Sequence, residues 1–516
     1  MATVLTCGQL REKISGCWNG KNIGGVFGLP FEGERGFNDA DFYAQTDLAR
    51  NLPPNDDLDL QLVWLNAAER FGRALDERIL GEYWMAYIIP DWLEYGTAKA
   101  NMARGIEPPL AAAVENPYGN SDGAFIRSEI WACLAPGLPD IAARYAYCDA
   151  SVDHAGEGLY AEIFCAATQS AAFCENDIDR LLDVGLSYIP AGCGIARAVR
   201  LVREAKSGGL NYAQARDKLF REIPGSFGAQ YKTLEEIPKG YPVAAPGYDA
   251  PNQIGIVALG LLYGEGDFAM TLRLAVNCGE DADCTAATVG ALFGILYGNS
   301  AIPEEWVAPI GDRISVGCVK RCNGDLWIPE NVAQLTDRIL RCIPSFLGAG
   351  LCVLDFVNGG YTVSARGPGK LRMGPDEERV KHIGRNVEDA RINEMIRLPR
   401  YSALYRFPFI NVVLEYGRAP TVSEGETFAF KLTIFDNAAA TVQRWASVSV
   451  YLPDGLKIQG ASKFTLPVQN TYHYRAERAV EVAVERLPAE KADIIFDVAI
   501  AGRPGGNLIK AALFSK

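Results

Sequence analysis

The period of the apolar positions changes once along the chain. Up to about residue 345 it is helical: Val332, Leu335, Ile339 and Ile343 fall three and four apart in 330–343 and mark one stripe of a helix. Further helices are expected at 58–72, 156–172, 193–206, 266–276 and 283–297. The run 159–172 (LYAEIFCAATQSAA) is apolar nearly all round and rich in small residues, which suits close packing inside a large bundle. Beyond about 345 the period becomes two. Phe428, Phe430, Leu432 and Ile434 alternate with Ala429, Lys431 and Thr433, and Val480/Val482/Val484 and Ile494/Phe496/Val498/Ile500 repeat the pattern. Half-buried strands at that spacing read as a β-sandwich.

The predicted architecture is therefore a large all-α bundle over 1–345, an irregular Gly/Arg-rich connection over 346–405, and a small immunoglobulin-like all-β sandwich over 406–516. The strands carry their own alternation, so residues 1–350 are expected to fold without them. Two loops rich in Pro, Gly, Tyr and Asn, 100–125 and 222–252, interrupt the helical part. Structureless loops of that length in a compact domain are more often functional than accidental.

Composition narrows the function. At 516 residues, 49% of them apolar, the chain exceeds one ordinary core. A net charge of −13 argues against a general nucleic-acid partner. The N-terminal MATVLTCGQLREKIS puts charges where a signal peptide needs an apolar stretch, and no window reaches a membrane span, so no membrane association is expected. The thirteen cysteines, odd in number and all at or before Cys352, point to a reducing, cytoplasmic setting. Cys318 and Cys322 form a CxxxC without a partner pair and read as buried thiols.

Two acidic motifs then stand out, each just before an apolar helix: Asn55-Asp56-Asp57-Leu58-Asp59, and Glu280-Asp281-Ala282-Asp283-Cys284. Asn and Asp accept hydrogen bonds from the free N–H groups of a helix start, which explains one acid in each motif. It does not explain two. Carboxylates crowded at a buried helix start repel one another unless protonated or neutralised by a cation. Hard oxygen ligands of this kind suit Mg²⁺ first, and Mn²⁺ or Ca²⁺ after it.

At these residues the chain resembles the ADP-ribosylglycohydrolase family. The glycine-rich run Gly16 to Gly33, ending near Glu32, resembles the family's N-terminal helix and loop, and Asn55-Asp56-Asp57 stands where the family has Thr-Asp-Asp. Asp153-His154 resembles its Thr-His element, and Asn277 to Gly290 its Gly-Asp-x-Asp-Thr motif with the Ala-Ala helix behind it. The resemblance covers roughly residues 8–345 and implies an all-helical domain with two metal ions, usually magnesium. It implies Asn55, Asp56, Asp57, Asp281, Asp283 and Cys284 as the metal shell, Glu32, Asp57 and Asp281 as catalytic groups, and Asn120, Asp122 and His154 as substrate contacts. Departures are plain: Asn55 and Cys284 replace threonines, Gly25 replaces an aspartate, and Gly119 to Arg127 match the family's substrate loop loosely. A thiol is a poor partner for a hard ion.

The activity so implied is metal-dependent hydrolysis of an N- or O-glycosidic bond to ribose, with ADP-ribosylated conjugates as substrates. A small ribosyl or furanosyl glycoside is the alternative within the same chemistry. A non-catalytic binding relative is the rival outside it. A homo-oligomer is compatible with all three. Tyr118, Phe125 and Tyr248 lie in the loops that could stack on a ring.

Overall fold

The computed structural model describes residues 3–34, 36–223, 248–320, 326–355, 357, 359–365, 395, 397–407, 409–436, 444–468, 475–487, 489–503 and 506–516. Most of the 222–252 loop, Cys322 and most of 365–400 lie outside the described residues. The chain divides into two compact units: Met1–Lys99 with Asn116–Gly374, and Ala100–Glu115 with Pro375–Lys516.

The first unit is helical. The expected helices form at Asp56–Phe71, Glu157–Ala172, Gly194–Ser207, Phe268–Asn277, Ala282–Tyr297 and Val332–Leu347, each within a few residues of the boundaries read from periodicity. Its organising contact is between the first helix, Cys7–Gly28, and the helix Ala282–Tyr297. Glycine recurs every fourth residue on the first helix, at Gly16, Gly20, Gly24 and Gly28, which places all four on one face. A methyl group on Gly20 would run into the main chain of Gly290, one on Gly24 into Ala286, and one on Gly28 into Asp283. The two helices therefore touch backbone to backbone. The acidic start of the second is pinned beside the end of the first.

Residues 352–365 differ from the irregular connection expected of them. Cys352–Leu354 and Tyr361–Ala365 pair antiparallel, and Tyr361–Ala365 also pairs with Thr3–Thr6 to complete a three-stranded sheet. Leu5, Val363 and Ala365 face inward, so the N-terminal TVLT gains an apolar reason to be a strand.

The second unit is a sandwich of two five-stranded sheets. One runs Lys463–Val468, Arg444–Tyr451, Lys491–Ile500, Gly506–Ser515 and Thr421–Val422 in spatial order; the other runs Ser402–Arg406, Ile410–Glu415, Thr427–Asp436, Ala476–Val484 and Leu456–Gln459. All pairs are antiparallel except Thr421–Val422 with Gly506–Ser515. The inward sets are the alternating residues of the sequence, and Phe430 meets Phe496 edge to face at 5.7 Å.

Ile106, Leu110 and Val114 belong to that same core. Only Leu110–Ala113 is helical there, so no periodic stripe marks these positions, and a Pro-rich loop reading passed over them. Independent folding of residues 1–350 consequently needs revision, because 100–115 would be left without its strands. A fragment 1–374 is expected to bind a hydrophobic dye and aggregate, whereas replacing those three residues by Ser in the fragment should reduce both, as fluorescence titration and light scattering would read.

Candidate metal centre

Three chain segments bring the acidic groups together. After the first helix a short turn, Leu29–Phe31, leads to Glu32. The chain there pairs with the approach to the Ala282–Tyr297 helix: Gly33 N donates to Glu280 O at 2.8 Å and Glu280 N to Glu34 O at 2.7 Å. The approach turns through Gly279 and Glu280, both at positive φ (76° and 69°), a conformation that favours glycine at the first and is held at the second by the pairing with Glu34. Glu32 thereby overhangs the helix start, exposed, while Asp281 and Asp283 lie buried beneath it.

Asn55 opens the Asp56–Phe71 helix, its Oδ1 accepting from Asp57 N at 2.8 Å. Its Nδ2 donates to Asp283 Oδ2 at 3.1 Å, so the same side chain caps one helix and touches the acid of another. Cys284 Sγ donates to Asp57 Oδ1 at 3.2 Å, and Lys21 Nζ lies 3.4 Å from Asp57 Oδ2. Asp59 turns away and accepts from Gly317 N and Cys318 N at 2.6 and 2.7 Å, which makes it a clamp on a neighbouring loop. Ligand atoms of Glu32, Asp281 and Asp283 lie within 4.8 Å of one another, as do those of Asp57, Asp283 and Cys284. Asp57 Oδ2, Asp122 Oδ2, Asp281 Oδ1 and Asp283 Oδ1 are buried and accept no hydrogen bond.

A family model described as ADP-ribosylglycohydrolase matches residues 6–341. The chain belongs to the ADP-ribosylglycohydrolase family. It is also similar to ADP-ribosylarginine hydrolase Tri1 of Pseudomonas putida (strain GB-1), 43% identical over 53 residues, and to the protein of that name from Serratia proteamaculans (strain 568), 42% identical over 50 residues. Each match takes in 10% of this chain and 14% of the relative. A solved structure titled ADP-ribosylglycohydrolase-related protein complex aligns over 66% of this chain and 99% of its own, at 19% identity and a TM-score of 0.42. Among the described residues no helix is long and apolar enough to cross a membrane.

The electrostatics of this ADP-ribosylglycohydrolase family member follow from crowding. Burial, then the neighbouring Asp57 and Glu32, push the half-buried Asp56 up to about 8. Burial lifts Asp281, Asp283 and Asp122 well above the carboxylate range, and the charge of Asp122 adds to the rise of Asp281 as that of Asp281 does to Asp283. Glu32 is raised by burial and by Asp57. A carboxyl raised on folding contributes stability that is complete below its unfolded value and lost as pH rises through its folded one. For Asp56 that window runs from 3.8 to about 8. In EDTA the melting temperature is expected to fall between pH 4 and about 8 for this reason. Saturating Mg²⁺ should flatten or reverse that slope, because a cation favours the ionised forms, and melting curves across the window check it.

Of the expected substrate contacts, only Asp122 joins the acids. Asn120 Oδ1 accepts from Glu157 N at 2.8 Å and so holds the start of the Glu157–Ala172 helix. His154 is buried, its Nε2 hydrogen-bonded to Ser121 Oγ at 3.0 Å and 3.7 Å from Glu94 Oε1, its Nδ1 2.9 Å from Asp153 Oδ1. Asp153 is in turn paired with the buried Arg127, which also binds Asp149. Phe125 is core, and Tyr248 Oη donates to Glu32 Oε1 at 3.5 Å.

Three further residues complete the picture. Glu94, buried with an unpartnered Oε2, has its Oε1 3.7 Å from His154 Nε2; burial pushes it up while His154 draws it down. Glu129 and Lys21 form a buried pair at 3.1 Å beneath Asp57. Lys21 did leave a signal, being the one charged residue between Lys13 and Glu32. Glu94 and Glu129 left none.

Proposed function

We propose that this family member is a divalent-cation-dependent glycoside hydrolase that cleaves the bond between the ribose anomeric carbon and its leaving group in ADP-ribosylated conjugates. The observation that carries the reading is the set of three buried carboxylate oxygens without hydrogen bonds, on Asp122, Asp281 and Asp283. Native proteins seldom leave such atoms unsatisfied. The donor set is all hard oxygen apart from Cys284, which fits Mg²⁺ before Mn²⁺ or Ca²⁺. Asp281 and Asp283 would hold the ion beneath Glu32, with Asp57, Asp56, Asn55 and Cys284 at its border.

A cation held there by Asp281 and Asp283 would polarise the sugar hydroxyls and lower the pKa of a bound water. Glu32 is the one acid of the group exposed at the mouth, positioned to take a proton from the attacking water or give one to the leaving group. Positive charge develops at the anomeric carbon as the bond breaks, and the carboxylates below stabilise it. Asn120 and His154 serve by holding the 119–123 loop from which Asp122 projects. A cytoplasmic setting agrees with the cysteine usage.

The test offers an ADP-ribosylated arginine peptide and a panel of simple ribosides and other furanosides, with Mg²⁺ and with EDTA. Release of free ADP-ribose only in Mg²⁺ is the expected result. Faster cleavage of a simple furanoside would select the alternative substrate class. Mg²⁺ binding without turnover of any of them would make the protein a non-catalytic relative.

A further inference from the structure

The two groups of ligand atoms that share Asp283 are not equivalent. Around Asp57, both of its carboxylate oxygens and Asp283 Oδ2 are already faced by a donor. Asp57 Oδ1 accepts from the Cys284 thiol at 3.2 Å, Asp57 Oδ2 lies 3.4 Å from the Lys21 ammonium, and Asp283 Oδ2 accepts from Asn55 Nδ2 at 3.1 Å. The Asn55 amide has no freedom to turn round, because its Oδ1 caps Asp57 N. On the other side, Asp281 Oδ1 and Asp283 Oδ1 accept nothing, although both residues are 3% exposed.

Lys21 is fixed as firmly as a ligand. It is 1% exposed, donates to Ile126 O at 2.5 Å, and lies 3.1 Å from Glu129 Oε2. The carboxylates of Glu129 and Asp57, at 3.1 and 3.4 Å, face its ammonium from two sides. A divalent ion set between Asp57 and Asp283 would meet that ammonium with little water to screen the repulsion.

The geometry points to Lys21 as a built-in cation that stands in for a second divalent ion, leaving a centre that binds one ion on Asp281 and Asp283, beneath Glu32. Lys21 is on this view a positioning residue: it neutralises Asp57 and keeps it beside the single ion without ligating it. The inference rests on the metal-dependent reading above, and counting ions separates the two.

Calorimetric titration of the metal-free, full-length chain with MgCl₂, repeated with MnCl₂ and an electron-spin count of bound Mn²⁺, gives the stoichiometry. One ion per chain is expected for the wild type and for Lys21→Arg, which keeps the charge. Lys21→Met should bind two, the second at Asp57, a change that loss of a merely structural lysine would not produce. Two ions on the wild type would overturn the inference while leaving metal dependence standing. No ion on the wild type would remove both. A folded Lys21→Met that still binds one ion would deny Lys21 the role. If that variant fails to fold, the wild-type count still decides.

Discussion

Asp281→Asn and Asp283→Asn should each lower turnover on the order of 10²–10³-fold or more, the scale on which single charge-stabilising groups act, and weaken Mg²⁺ binding in step. Helical content should be unchanged, because Asn serves at a helix start as Asp does. A further sign distinguishes a ligand from a cap. Each acid is buried among like charges: Asp281 is raised by burial and by Asp122, and Asp283 by burial and by Asp281. Replacing one by a neutral amide relieves repulsion, so the metal-free variants are expected to melt higher than the metal-free wild type, while the gain on adding Mg²⁺ shrinks. Circular dichroism melts with and without Mg²⁺, set beside turnover, read both effects. Wild-type turnover with undiminished Mg²⁺ stabilisation would leave capping as the whole explanation.

Gly24→Leu should be the most damaging change to the fold. The site has no room for a methyl, since the obstacle is the main chain of Ala286 and no side chain can move aside. Overpacking a core usually costs about 1–3 kcal/mol where neighbours can adjust; here the helices themselves must part, and a loss above ~3 kcal/mol out of a typical total of ~5–15 is expected. Mg²⁺ binding should fall with it, because Gly28 on the same face abuts Asp283. Gly8→Ala in the same helix is the control, its nearest neighbour 4.0 Å away at Thr6 Oγ1. It should be neutral or slightly stabilising. Urea denaturation of the two variants makes the comparison.

Much of this site could be read before the fold was known. Helix period located the two acid-bearing helices, and the crowding of carboxylates at their starts marked those starts as more than caps. What resisted reading was everything that depends on depth. Lys21, Glu94 and Glu129 are ordinary surface residues by type, and only packing shows that each is buried. His154 was legible as part of a motif, yet its partners Ser121, Glu94 and Asp153 come from tertiary structure, and they place it behind the acids. The segment 100–115 was misjudged for a related reason. Pro108 and Pro109 advertise a loop, while three apolar residues four apart have meaning only against strands some three hundred positions later.

That last separation bears on how the protein is made. Residues 100–115 leave the ribosome long before Ser402–Arg406, the first strand of the sandwich they help to fill. At synthesis rates of ~5–20 residues per second, the wait is on the order of tens of seconds. Throughout it Ile106, Leu110 and Val114 have no strands to cover them, although the helices on either side of them in sequence can already condense. The nascent chain thus carries a temporary sticky patch. Its exposure ends only when the last strand, Gly506–Ser515, is released. Slow translation, or a stop codon anywhere in the sandwich, should make this protein a client of holding chaperones at that segment.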